Sequence, residues 1–497
     1  MYEWTQQQID IFDAVENKQN SLIKLDAIAG ASKTTTLVEI AKRFKSANPT
    51  GTFRYIVFGR ANFEDARTNF GTNAICSTIH AMAYEYIIRR RMYPLQTNIK
   101  SFLTWKDIPK SIFIPFGMTP LVIQLIENYC NSQYTSFNSY VVNERNECLA
   151  SVVKAATQVM QQIVQGKIPP THSFYLKLFH KAVVSNSIQL DHTDILAVDE
   201  AGDLTPITFD IFDKYPAEQK IMCGDKFQAI FSFMGCINGF EKYNDQGITL
   251  NLNKSFRCST QLAPAIEVFG RTYFNDPTFT FNGHTYTNQE VKTIGYITRT
   301  NMELIETMIN FNQQGIDYRL VSKSKTDQLF RYPEFLMYMA PNRKVYDREL
   351  RVLQHDVDEY YSSQALQSEF SSATKYLLHN NEGNENLVQA TKLLAQFDRS
   401  DIIEAKNQAQ SHTKQSANII LGTAHVFKGL TVDKVVISKL LNKSLDPLVK
   451  KDPTKLSKDE LSEFLLYYVA CTRARYEIEN AKHLKLIDIG ETISGLY

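Results

Sequence analysis

The chain has 497 residues, 43% of them hydrophobic, with 54 Lys and Arg against 53 Asp and Glu. This composition excludes a disordered chain, and the net charge of +1 excludes a uniformly basic nucleic-acid coat or a strongly acidic mimic, though not a local basic groove. Seven scattered cysteines without a CxxC pair argue against a disulfide framework or a structural zinc site, and no apolar run approaches the ~18 residues of a membrane span. A soluble intracellular protein with no membrane association is expected.

The N-terminal part alternates strand and helix. Residues 21–27, 53–58 and 73–78 read as strands, with helices over 33–44 and near 62–69. That alternation predicts a parallel α/β sheet. From about residue 79 the spacing turns helical, over 79–92, 121–130 and 144–164, and strand patterns resume at 194–198, 219–223 and 293–298. A polar, Gln/Asn-rich helical stretch covers about 343–415. Strands return at 417–421 and 434–438, and a helix follows near 458–472. The expected class is α/β, with two parallel-sheet cores, each interrupted by a mainly helical insertion.

The first strand ends in Ala27, Ile28, Ala29, Gly30, Ala31, Ser32, Lys33, Thr34 and Thr35, and a helix begins at once. Loop N–H groups and a helix N-terminus form a cradle for phosphate. Lys33 would reach the β/γ oxygens and the Thr34 hydroxyl would hold Mg²⁺. Ala27 and Ser32 stand where the general pattern has glycine. An ordinary strand–turn–helix with a surface lysine fits the same residues.

The apolar run 195–198 ends in Asp199 and Glu200, a pair costly to bury without a metal or a reaction to serve. Asp199 would hold Mg²⁺ and Glu200 would deprotonate an attacking water. A solvated loop or a helix cap is the alternative. A further short strand ends in Gly224, Asp225, Lys226, Phe227 and Gln228, where Gln228 could sense a γ-phosphate.

Taken in order, these islands resemble the UvrD/Rep-like branch of superfamily 1 DNA helicases. Trp4–Gln8 resembles the Q motif, 27–34 motif I, 55–61 motif Ia, 78–83 motif Ib, 198–204 motif II and 224–233 motif III. Ser255-Phe256-Arg257, Thr423–Leu430 and Tyr468–Ala474 resemble the later motifs. The sequence departs from the family at Ser32, Gly202, Met234 and Thr431.

The resemblance implies two RecA-like cores with ATP and Mg²⁺ between them. It assigns catalysis to Lys33, Glu200, Gln228, Arg257 and Arg473, the last as an arginine finger. Nucleotide contacts would come from Gln8 at the adenine, the 27–35 loop, Phe256 and Gly429, and the metal would sit on Thr34 and Asp199. Single-stranded DNA would meet Phe58, Arg60, Thr78, His80, Phe231, Phe233, Thr423, His425 and Lys428, with stacking on the phenylalanines. The implied cores are 1–80 plus 189–250 and 251–325 plus 416–497, with helical inserts at 81–188 and 326–415. The implied activity is ATP-dependent 3′→5′ unwinding by a monomer on single-stranded or forked DNA, with replication or recombination proteins as partners. It would act in the cytoplasm or at the nucleoid, with a phage-encoded protein in the host cytoplasm as a further option. The alternatives are a translocase that displaces proteins with little unwinding, and a nucleotide-dependent DNA-binding protein with weak ATPase.

Overall fold

The computed structural model describes residues 3–57, 59–114, 118–144, 149–232, 235–322, 326–345, 347–410 and 417–484. The chain divides into two compact units, Met1–Lys254 and Ser255–Tyr497.

The first unit opens with α1 (Gln6–Glu16), started by a capping box in which Thr5 and Gln8 bond each other's backbone. β1 (Leu22–Ala27), α2 (Lys33–Ala47), β2 (Phe53–Val57), α3 (Gly59–Phe70) and β3 (Ile75–Thr78) follow the expected alternation. Both faces of β1 are largely buried, as a strand covered by helices on two sides requires. Helices then intervene: α4 (Ile79–Ala83), which continues as a π-helix over Tyr84–Arg89, α5 (Thr119–Asn131), α6 (Phe137–Glu144), α7 (Ala150–Val164) and α8 (His172–Val184). The chain returns through β4 (Thr193–Val198), α9 (Pro206–Lys214), β5 (Ala217–Gly224), α10 (Gly239–Lys242) and β6 (Ile248–Leu252).

The six strands form one parallel sheet in the order β3-β2-β4-β5-β1-β6. Asp26 pairs with Gly224 and Val198 with Met222, so the C-terminal ends of β1, β5 and β4 share one edge. The expectation lacked α8 and β6. Ten of the thirteen residues of α8 are buried, so it shows no one-sided stripe. The helix expected over 144–164 divides, with α6 ending at Glu144 and α7 beginning at Ala150.

The second unit begins with β7 (Lys254–Ser259), α11 (Ala263–Tyr273) and β8 (Asn282–His284); β7 and β8 form a two-stranded sheet. Its main core contains β9 (Ile294–Thr298), α12 (Asn301–Gln313) and β10 (Tyr318–Leu320). Helices α13 (Thr326–Met337), α14 (Arg348–Ser362), α15 (Gln364–Glu369), α16 (Ala373–Asn380), α17 (Glu385–Gln396) and α18 (Arg399–Gln410) come next. The core resumes with β11 (Ile419–Thr423), α19 (Ala424–Phe427), β12 (Val432–Ile437), α20 (Lys439–Leu445), α21 (Lys458–Cys471) and β13 (Ala474–Glu479).

This sheet is also parallel throughout, in the order β10-β11-β9-β12-β13. Helices α13, α14, α17 and α18 share an apolar core with α12 through Phe330, Leu353, Leu387 and Ile402. The fold is thus α/β, with two RecA-like parallel-sheet cores, each carrying helices between two of its strands. The edge strands β10 and β13 were not expected: one is three residues long, and the other has only two buried positions. Cys76, Cys130, Cys223, Cys236, Cys258 and Cys471 are free, while Cys148 lies outside the described residues. Among the described residues no helix is long and apolar enough to cross a membrane.

Candidate active site

The phosphate-loop residues sit where β1 leaves the sheet. Ile28 N donates to Leu252 O (3.1 Å), extending the ladder to β6, and Ala31 N turns back to Ile28 O (3.1 Å). Ala27, Ala29 and Ala31 are buried. Gly30 has φ 74° and Ser32 has φ 59°, ψ 37°. Ser32 therefore adopts the left-handed conformation for which glycine is the usual choice, at a cost of about 1–2 kcal/mol for a residue with a Cβ. Helix α2 starts directly after it, with Lys33, Thr34 and Thr35 half-buried in its first turn.

The loop and the acidic strand end meet. Thr34 Oγ1 donates to Asp199 Oδ2 over 3.2 Å, and Tyr55 Oη donates to the same oxygen over 3.2 Å. Glu200 N donates to Asp199 Oδ1 (2.8 Å), and Glu200 itself has φ 53°. Burial would lower the Lys33 ammonium, but the carboxylates of Glu200, Asp225 and Asp199 outweigh it and hold the lysine above its ordinary range. Burial, then Glu200, push the Asp199 carboxyl up against the pull of Lys33. Sequence reasoning missed Tyr55, because a tyrosine in a strand is ordinary β composition and only the pairing of β2 with β4 brings it near Asp199.

The turns after β4 and β5 interlock. Phe231 N donates to Asp203 Oδ1 (3.0 Å), and Leu204 bridges Ile237. A Cβ on Gly202 would stand 2.9 Å from Asp225 O, and one on Gly224 would stand 2.8 Å from Ala201 N. The glycine at 202 thus has a packing reason. Gln228 is buried, and its Nε2 donates to Asp225 Oδ2 (2.8 Å), while Asp225 Oδ1 accepts from Phe227 N (2.9 Å). Lys226 pairs with Asp26 at 3.1 Å.

Gln8 is 2% exposed, and its Nε2 donates to Thr36 Oγ1 (2.9 Å), so its amide ties α1 to α2. Its neighbour Gln7 accepts from Asn253 N (2.9 Å), a contact the motif pattern did not single out.

In the second unit, Arg257 and Arg473 converge on Thr472. Arg257 Nη1 donates to Thr472 O (3.2 Å), and Arg473 Nη2 donates to Thr472 Oγ1 (3.1 Å). Arg473 is only 1% exposed, and its Nε donates to Val469 O (2.8 Å) at the end of α21. The ring of Phe256 is partly exposed, 6.1 Å from that of His284. Thr423 is buried, His425 and Lys428 are half-buried, and Gly429 is exposed with φ 90°.

Of the expected DNA contacts in the first unit, Thr78 caps α4 by accepting from Ala81 N (3.1 Å), and Phe231 is half-buried. His80 is exposed and stands edge-on to Tyr175, which Tyr84 and His172 also touch edge-on. Phe58, Phe233, Met234 and the side chain of Arg60 lie outside the described residues.

The site therefore has the form of a strand–loop–helix turn facing an acidic strand end on a parallel sheet, the usual place for a ligand in open α/β folds. The chain is similar to F-box DNA helicase 1 of Gallus gallus, 28% identical over 271 residues that make up 50% of this chain and 26% of that protein. It is also similar to F-box DNA helicase protein 1 of Schizosaccharomyces pombe, 24% identical over 270 residues, 49% of this chain and 30% of that protein. The matched region spans less than a third of either relative. No protein-family model matches the chain.

Proposed function

We propose that this chain is an ATP-dependent DNA helicase or translocase of the UvrD/Rep-like kind, moving 3′→5′ on single-stranded DNA. The observation that carries the reading is the meeting of Lys33, Thr34, Asp199 and Glu200 at the C-terminal strand ends. The similarity to two proteins named as DNA helicases supports it.

Thr34 Oγ1 and Asp199 Oδ2 are two hard oxygen donors 3.2 Å apart, a pair that fits Mg²⁺. When bound, that ion would neutralise charge on the phosphate oxygens. The chain's own residues do the rest. The N–H groups of the 29–34 loop bind phosphate oxygens, and Lys33, kept cationic by three carboxylates, holds the γ-phosphate. Glu200 orients the attacking water and accepts its proton. As the resemblance implies, Arg257 would stabilise charge that grows on the transferring phosphoryl group, and Arg473 would do so only by exchanging its bonds to Val469 O and Thr472 Oγ1. Ser32 adopts the glycine-like conformation of the turn, which supports a phosphate-binding loop here despite the missing glycine.

The division into cores 1–80 plus 189–250 and 251–325 plus 416–497, with inserts 81–188 and 326–415, is part of the same proposal. So are a monomeric state, the DNA contacts at Thr78, His80, Thr423, His425 and Lys428, and a role on forked DNA. Strand separation on partial duplexes tests the activity: unwinding from a 3′ tail is expected, and unwinding only from a 5′ tail would refute the polarity.

A further inference from the structure

The second unit carries a mixed set of donor groups that the phosphate loop does not use. His355, Asp356 and Glu359 lie on α14, and one donor atom from each stands within 4.8 Å of the other two. Glu359 is four residues from His355 and three from Asp356, the spacings at which helical side chains are neighbours. His355 and Glu359 are exposed, so the set opens to solvent. It contains no cysteine, so the cysteine spacing that argues against a structural zinc site does not bear on it.

Two observations point to a cation. The first is a carboxylate without a permanent counter-charge. The Asp356 side chain is only 9% exposed, and its one ion partner among the described residues is the His355 ring, with Nδ1 3.9 Å from Oδ1. Carboxylates so far removed from water are ordinarily paired with a cation or bound to a metal. The second is the way α16 holds both carboxylates. Asn381 Nδ2, at the C-cap of α16, donates to Asp356 Oδ2 (2.7 Å), and Tyr376 Oη donates to Glu359 Oε2 (2.9 Å). Each carboxylate is thus fixed through one oxygen and keeps the other for a ligand. Outer hydrogen bonds of this kind orient the groups that bind a metal.

We propose that His355, Asp356 and Glu359 form a binding site for a divalent transition-metal ion of the Zn²⁺ kind. The donor set selects the class, since an imidazole nitrogen suits zinc whereas Mg²⁺ takes oxygen ligands. Zinc holds such donors at about 2.0–2.2 Å, so two of them stand about 3.3 Å apart on a tetrahedral ion, and three protein groups leave the fourth position to water. The His355 side chain is 76% exposed and can turn to close the 3.9 Å gap. A bound ion would brace α14 on α16. The proposal does not depend on nucleotide hydrolysis.

Zn²⁺ alone is the probe, titrated calorimetrically into the nucleotide-free full chain with Mg²⁺ in excess. The wild type is expected to bind zinc at a saturable site that Mg²⁺ does not displace. His355→Ala, at an exposed position, should weaken that binding at least about tenfold, the lower end of what losing even a supporting group costs a metal site. Glu359→Gln should do the same while keeping an acceptor for Tyr376, so the fold is retained. No zinc binding by the wild type would overturn the proposal. Equal binding by the wild type and both variants would also overturn it, by assigning the ion to other groups such as the partly buried thiols of Cys76 and Cys236.

Discussion

Thr34 Oγ1 donates to Asp199 Oδ2 over 3.2 Å, joining the first turn of α2 to the end of β4 across 165 positions of sequence. Tyr55 meets the same oxygen from β2. Three separate strand–helix units thus converge on one carboxylate, and Glu200 follows it in a left-handed conformation. Strained non-glycine backbone of this sort gathers at functional sites. Glu200→Gln should therefore lower phosphate release by about two to four decades while nucleotide binding persists. Comparing single-turnover hydrolysis with fluorescent-nucleotide binding checks this, and parallel losses in both would contradict it.

Ser32 carries the other strained backbone in the site. Ser32→Gly removes the Cβ clash but adds unfolded-state entropy, so stability should stay within about 1 kcal/mol of wild type. Ser32→Val, β-branched at the same φ, should cost at least about 1 kcal/mol more than the glycine variant. Urea denaturation of both variants measures the difference.

Gly202 stands where the resembled family has glutamine. Its built Cβ position is 2.9 Å from Asp225 O, which is backbone and cannot swing away. Gly202→Gln should therefore destabilise the first unit by about 1–3 kcal/mol, the usual range for overpacking. A thermal scan showing no loss would mean that the turns after β4 and β5 are looser than they stand here.

Arg473 and Arg257 should separate in their effects. Arg473 is buried and spends its guanidinium on Val469 O and Thr472 Oγ1, so Arg473→Ala should cost roughly 2 kcal/mol or more of stability as well as activity. Arg257 is only half-buried, so Arg257→Ala should lose activity with a smaller loss of stability. Chemical denaturation beside phosphate release resolves the two.

Lys177 gives a pH signature in the first unit. It is 1% exposed and donates to Ser132 O (2.6 Å) and Tyr134 O (2.9 Å). Burial pushes its pKa down to about 8, against the pull of Cys130 and Asp210. The fold therefore disfavours the charged form: the penalty is full below pH 8 and relieved as pH rises toward the unfolded value of 10.5. Over that window the wild type should gain stability relative to Lys177→Met, by on the order of a few kcal/mol at most. Parallel pH curves for the two proteins would contradict this.

Much of the candidate site was legible because its chemistry sits at strand ends in short, contiguous runs. Lys33, Thr34, Asp199 and Glu200 each follow an apolar strand, and the parallel sheet then aligns those ends. What was hidden depends on pairing between distant segments. Tyr55 reaches Asp199 only through the register of β2 on β4. The burial of Arg473 was not legible, because its partners are the Val469 carbonyl and the Thr472 hydroxyl, contacts that carry no sequence signal. Helix α8 was missed because it is buried nearly all round, and β10 because three residues make no period. Gln8 was legible as a motif residue, yet its bond to Thr36 was not, since helix-to-helix contacts have no fixed spacing.

The central claim is that the Lys33 loop hydrolyses nucleotide for work on DNA. The most direct test is phosphate release from ATP with Mg²⁺, with and without single-stranded DNA, for the wild type and Lys33→Ala. Release stimulated by DNA and lowered at least about a hundredfold in the variant is predicted. No release from the wild type, or equal release from both proteins, would contradict the account.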